Sequence, residues 1–100
     1  MILEIVKWDI KPNKENEFES AFVKAQKILS SMHGYKSHQF HRCIEKPNRY
    51  ILLVKWETLE DHTIGFRNSN AYQDYRNMLK QYYEPGATME HYEIVHDDVL

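Results

Sequence analysis

Apolar and polar side chains alternate unevenly along the first ten residues, MILEIVKWDI. Ile2, Glu4, Val6, Trp8 and Ile10 fall on one face, and Leu3 and Ile5 on the other. A period of two predicts a strand. Pro12 and Asn13 end it, and Asn13 reads as the cap of a helix with Glu15 and Glu17 in its first turn, where carboxylates suit the helix dipole. The period then lengthens to that of a helix at Phe18, Ala21, Phe22, Ala25, Ile28, Leu29 and Met32, a stripe broad enough to cover a sheet. Gly34, after SSMH, reads as the residue just beyond the helix end, where a left-handed backbone suits glycine.

A more polar strand is expected over Tyr35 to Ile44, a turn at EKPN (45 to 48), and a third strand at RYILLVKW. Thr58 then reads as the cap of a short helix, with Asp61 in the place that Glu usually takes in a capping box. Ser69 caps a further helix with apolar positions at Tyr72, Tyr75, Met78, Leu79 and Tyr82. Pro85 and Gly86 break it, and TMEHYEIV (88 to 95) is the last strand. The order β-α-β-β-α-β, with the second helix in two pieces, predicts a single ferredoxin-like α+β domain over residues 1–100: an antiparallel sheet with helices on one face.

The third strand reaches beyond the single chain. Tyr50, Leu52, Val54 and Trp56 lie on one of its faces, and Ile51 and Leu53 on the other. Two helices cover only one face of such a sheet, so a strand that is apolar on both sides predicts a second cover. The simplest is another copy of the same sheet, giving a homodimer packed face to face.

A chain of 100 residues should bury roughly two-thirds of its unfolded surface, enough for one core. The net charge of −2, with basic residues scattered among acidic ones, argues against nucleic acid as a partner. RNA-recognition domains share this element order but carry spaced aromatics on the third strand, where RYILLVKW has aliphatics. No apolar run has the length of a membrane-spanning helix, and the opening reads as a strand, not as a signal peptide. Cys43 is the single cysteine, which predicts a reducing, cytoplasmic setting. His38 and His41 oppose each other on a strand, as do His91 and His96, and no histidine pair or acidic cluster has metal-ligand spacing. With only three glycines and no phosphate-cradling loop, flavin, NAD and ATP sites of the usual kinds are not expected, and no cofactor is assigned.

Candidate chemistry gathers in WETLEDHTIGFRNSNAY. Leu59, His62 and Phe66 stand at i, i+3 and i+7, so His62 is expected to face inward with its apolar neighbours. Tyr72 and Arg76, four apart, are neighbours on the next helix. Beneath them lies the strand face with Glu4, Val6, Trp8 and Ile10. Aromatic walls with a few converging polar groups describe a small-molecule pocket. Each residue also has an ordinary reading. An inward histidine is commonly a core residue bonded to a carbonyl, the aromatics are packing, and Arg76 pairs with Asp74 or another surface acid.

Taken together, YILLVKWETLEDHTIGFRNSNAYQDYRNML and the closing PGATMEHYEIV resemble the antibiotic biosynthesis monooxygenase (ABM) domain over almost the whole chain. The resemblance rests on Trp, acidic residues and His leading to Phe-Arg-x-Ser and Tyr. It implies a dimeric α+β barrel with a pocket in each subunit, and for some members oxidation of phenolic or quinol-type compounds by molecular oxygen without flavin, haem or metal. A phenol that has lost its proton is electron-rich enough to reduce oxygen itself, so the protein need supply only a base, an oxyanion donor and a dry cavity. On that reading His62 is the base, Tyr72 and Arg76 are the donors, and Trp8, Phe66 and Val6 are the walls. A haem-degrading branch of similar fold uses an Asn, a Trp and a His at places that fall here on Val6, Phe66 and Arg76. All three differ, which leaves no evident iron ligand. The competing expectation is a binding or stress-response module that holds a small ligand without turning it over.

Overall fold

The computed structural model describes residues 1–98. Strands β1 (Ile2–Asp9), β2 (Tyr35–Arg42), β3 (Arg49–Trp56) and β4 (Thr88–Tyr92) form one antiparallel sheet in the order β2-β3-β1-β4. Helix α1 (Glu15–Ser30) follows β1, and a π-helical segment (Asp61–Phe66) and helix α2 (Asn70–Leu79) lie between β3 and β4. This is the ferredoxin-like α+β fold expected of the sequence pattern.

The alternation within β1 and β3 decides which face the helices cover. Glu4, Trp8, Ile10, Tyr50, Leu52, Val54 and Trp56 are buried, under Phe18, Phe22, Ala25 and Leu29 of α1 and Tyr75 and Leu79 of α2. Much of the aromatic content is spent here. Phe40 of β2 stacks on Phe22 at 4.1 Å and on Tyr50 at 5.2 Å, while Trp8 meets Phe18 edge-on at 5.4 Å. Such pairs add to stability beyond the area that they bury. The opposite face carries Leu3, Ile5, Ile51 and Leu53, half-buried and facing away from the helices.

Local signals held at several places. Asp61 and Thr58 form the capping box: the Asp61 amide donates to the Thr58 hydroxyl at 3.2 Å, and the Thr58 amide to the Asp61 carboxylate at 3.2 Å. The Ser69 hydroxyl accepts the Tyr72 amide at 3.1 Å and starts α2. Gly34 has φ +82°, and a Cβ there would fall 2.1 Å from an Asp61 carboxylate oxygen, so two independent constraints exclude a side chain.

Asn13 behaves differently from expectation. It takes φ +64°, and Lys14 occupies the cap position without a side-chain bond. The Lys14 amide instead bonds the Lys11 carbonyl at 3.1 Å, closing a tight turn with Pro12 and Asn13 at its centre. Asn tolerates the left-handed position of such a turn, so turn formation wins over capping. The outer strands are also shorter than the pattern suggests. Leu3 pairs with Tyr92, so β1 has almost no residues left to receive an extension of β4, and after Arg42 the chain leaves the sheet with Ile44 90% exposed. Cys43 therefore lies just past β2, not within it.

Candidate functional site

Between the sheet and α2 lies a cavity of ≈ 350 Å³, within the range of small-molecule sites. β1 supplies Glu4, Val6 and Trp8 to its floor, the π-helical segment supplies His62 and Phe66, and α2 supplies Tyr72, Tyr75, Arg76 and Leu79. Arg67, Tyr83, Thr88 and Met89 complete the lining. All six residues singled out from the sequence (Val6, Trp8, His62, Phe66, Tyr72 and Arg76) thus border one space.

His62 and Phe66 are both 2% exposed, but Leu59 is 39% exposed and takes no part in that inner face. The reason is the helix type. The Arg67 amide bonds the His62 carbonyl at 3.0 Å, an i→i+5 bond, so the turn is wider than that of an α-helix and the spacing from Leu59 no longer applies. Such wide turns in helices are frequent at functional sites.

At the floor three titratable side chains form a line. Glu4 accepts the Trp56 indole N–H at 2.9 Å on one carboxylate oxygen, and its other oxygen lies 3.3 Å from His62 Nε2. His62 Nδ1 lies 2.7 Å from His91 Nε2. Glu4 is 5% exposed. Burial lifts its carboxyl from 4.5 to about 7, against the opposing pull of the Trp56 hydrogen bond and of Arg67. Burial, reinforced by His91 and Arg67, lowers His62 from 6.5 to about 4. His91 is lowered too, by burial and by Arg67. Neither charge is welcome at this depth, so Glu4 and His62 together hold one proton and no net charge between about pH 4 and 7.

The upper part of the cavity is cationic and phenolic. The Arg67 guanidinium lies 5.1 Å from the centre of the Tyr72 ring, and Phe66 meets Tyr72 edge-on at 5.2 Å and Tyr75 at 5.3 Å. Among the described residues neither Arg67 nor Arg76 joins an ion pair, so the ordinary alternative for Arg76, a pair with Asp74 or another surface acid, is not formed. Burial raises the Tyr75 phenol well above 10, which keeps it a neutral donor.

The sequence pattern places Glu4 on the buried face of β1 without a role, and it assigns none to Arg67 or His91. A carboxylate inside an otherwise apolar strand face was the available signal for Glu4. His91 had none, because only the register of β4, which sets it opposite Glu4, brings it to His62. Among the described residues no three His, Cys, Asp or Glu side chains converge as metal ligands. Glu4, His62 and His91 lie in a row, and each His62 nitrogen faces a different neighbour. The same engagement leaves His62 no free nitrogen for a haem iron, so these residues do not fit haem.

The profile of the family described as antibiotic biosynthesis monooxygenase matches residues 1–78. The uncharacterized protein YczJ of Bacillus subtilis (strain 168) is 46% identical over 95 residues, which span 95% of this chain and 100% of that protein. A crystal structure of a candidate antibiotic biosynthesis monooxygenase from Bordetella bronchiseptica is similar with a TM-score of 0.90 and 30% identity, covering 95% of this chain and 97% of that one. SnoaB, a cofactor-independent oxygenase from Streptomyces nogalater, has a TM-score of 0.84 over 96% of this chain and 94% of its own. At 14% identity the likeness to SnoaB speaks for the fold alone. The profile match, which covers most of the chain, and the arrangement of strands and helices agree: this chain belongs to the antibiotic biosynthesis monooxygenase family.

Proposed function

We propose that the protein is a cofactor-independent monooxygenase that oxidises a small electron-rich aromatic (a quinol, phenol or anthrone) with molecular oxygen. The observation that carries this reading is the pairing, in one aromatic-walled cavity, of a buried Glu4–His62 couple with Tyr72 and Arg76. Family membership and the fold shared with an oxygenase support it. The Glu4–His62 couple removes the hydroxyl proton of the substrate. The resulting phenolate, held by Tyr72, Arg76 and Arg67 between Trp8, Phe66 and Val6, passes one electron to oxygen. Superoxide and the aryl radical join in a C–O bond, and the peroxide takes a proton. Loss of water then leaves a quinone, with one oxygen atom in the product and the other in water. Positive charge beside the ring favours both anions in turn.

Oxygen consumption tests this directly, with an electrode, chelator-treated protein and a panel of hydroquinones, naphthoquinols and anthrones. Uptake well above autoxidation is expected, and it should fall by roughly 100-fold or more in His62→Ala. Binding of a compound without any uptake would point instead to a small-ligand-binding module. That second reading draws on the fact that both His62 nitrogens already have partners within the protein.

The same reading makes the working unit a homodimer. Ile5 and Leu53 pair directly at the centre of the open sheet face, with Leu3 and Ile51 beside them and Lys7, Lys55 and Glu90 around the rim. An apolar centre with a charged rim is the usual anatomy of an interface. Sedimentation should give twice the 12.1 kDa chain mass at micromolar protein, and Leu53→Lys should shift the species to monomer. A wild type that sediments as a monomer would remove the dimer. The lone Cys43 suits a reducing cytoplasm. Among the described residues no helix is long and apolar enough to cross a membrane.

A further inference from the structure

We propose that Glu4 is the catalytic residue that takes and returns the substrate's proton, and that His91 is a positioning residue acting on it through His62. The inference rests on the oxygenase reading and assigns the roles within its base.

Three observations carry it. First, both nitrogens of His62 are engaged, Nε2 at 3.3 Å from Glu4 and Nδ1 at 2.7 Å from His91, so His62 has no nitrogen with which to meet a ligand. Secondly, Glu4 borders the cavity, and each carboxylate oxygen is committed to only one neighbour, Trp56 or His62. An ionised carboxylate has about four lone-pair sites, so it retains acceptor capacity toward the cavity. Thirdly, the hydrogen-bonding contact of His91 with the couple is at His62 Nδ1, 2.7 Å away. By fixing which tautomer His62 adopts, it decides whether Nε2 donates to the Glu4 carboxylate or accepts from its acid form.

Overall, a phenol and oxygen give a quinone and water with no net release of protons, so one carboxylate can serve as both base and acid. Glu4 accepts the hydroxyl proton as the phenolate forms. It gives that proton to the peroxide oxygen once the C–O bond exists. It then takes the ring C–H proton as hydroxide departs, and the two combine as water. The oxidant throughout is molecular oxygen. The charged and titratable groups around Glu4 are His62 from the π-helical segment, Arg67 beyond it, Tyr75 from α2 and His91 from β4, and of these Arg67 pulls the carboxyl down. With a midpoint of about 7 for Glu4, turnover should rise through neutrality as the carboxylate ionises.

The test has two arms. In oxygen uptake, Glu4→Gln should lower kcat by about 100- to 10,000-fold with KM little changed, and should abolish the rise of rate through neutral pH. His91→Ala should lower kcat roughly 10-fold and displace that rise, and His91→Gln, whose amide can still bond to His62 Nδ1, should restore most of it. Under nitrogen, where nothing turns over, para-nitrophenolate is bound at about pH 8 and followed by calorimetry in two buffers of different ionisation enthalpy. The wild type should take up a proton as the anion settles beside Glu4, and Glu4→Gln should bind without that uptake, which also shows that the variant is folded. Full turnover in Glu4→Gln, or unchanged proton uptake, overturns the assignment of Glu4 and leaves the oxygenase reading intact. Proton uptake that is lost in Glu4→Gln, in a protein that consumes no oxygen with any compound, supports Glu4 as the proton carrier and removes the oxygenase reading. A His91→Gln variant no better than His91→Ala overturns the positioning role.

Discussion

Trp56→Ala is expected to destabilise the protein by about 5 kcal/mol, enough to leave it barely folded. The side chain is fully buried at the end of β3 and packs against His62 at 5.3 Å, Phe66 at 5.8 Å and Tyr35 at 6.3 Å. Truncating a buried Trp costs about 3–5 kcal/mol through lost transfer energy and the cavity left behind. The indole N–H also donates to Glu4, and leaving that buried carboxyl without its donor costs about 1–3 kcal/mol more. A domain of this size is stable by about 5–15 kcal/mol in total. Urea titration followed by circular dichroism checks the figure through the midpoint at constant slope. Trp56→Phe separates the two contributions, since it keeps an aromatic ring and loses only the donor. It should cost about 1–3 kcal/mol and push the Glu4 midpoint higher, because the Trp56 bond now holds it down. Equal losses in the two variants would show that packing is not the larger part.

The Glu4–His62 couple should add almost no pH dependence to stability from about pH 4.5 to 6.5, yet removing either member should tilt the wild-type profile steeply, in opposite directions. Glu4 has a raised folded midpoint, so its contribution is fully present below 4.5 and is lost as pH rises through about 7. His62 has a depressed one, so its contribution is present above 6.5 and is lost as pH falls through about 4. Between these limits the unfolded chain carries its proton on histidine, whereas the folded couple holds one proton in common. The proton counts match and the slopes cancel. In Glu4→Gln only His62 of the couple remains, and relative to the wild type stability should climb by about 3 kcal/mol as pH rises from about 4 to 6.5. In His62→Gln only Glu4 of the couple remains, and relative to the wild type stability should fall by about 3 kcal/mol as pH rises from about 4.5 to 7. Melting or urea curves across that range decide the matter. Slope changes of the same sign in the two variants, each taken relative to the wild type, would mean that the two groups do not share a proton.

How much of this could be read from the chain alone differs from element to element. β1 and β3 were legible almost to the residue, because a sheet with one face under helices imposes a strict period of two. The Thr58–Asp61 box and the Ser69 cap were legible because they are contacts between residues three apart. Asn13 was misjudged for a local reason, since the Pro12–Asn13 pair serves a turn better than a cap. Leu59 was misjudged because the i→i+5 bonding of the following segment is a response to packing, and its sequence carries no separate mark.

The candidate site divides along the same line. Val6, Trp8, His62, Phe66, Tyr72 and Arg76 could be brought to one space by periodicity, since each lies on a face whose direction its own element dictates. The row Glu4–His62–His91 could not. Glu4 and His91 are far apart in the chain, and they meet His62 only because β4 returns beside β1 with Glu4 opposite His91. Register between distant strands follows from the closure of the whole core, and so does the burial that brings a carboxyl to about 7 and an imidazole to about 4. Spacing and pattern, which act over a few residues, were enough to determine the fold class, the helix starts at Thr58 and Ser69 and the walls of the cavity. Ionisation and proton sharing depend on desolvation by side chains from several elements at once, and only the assembled tertiary structure decides them.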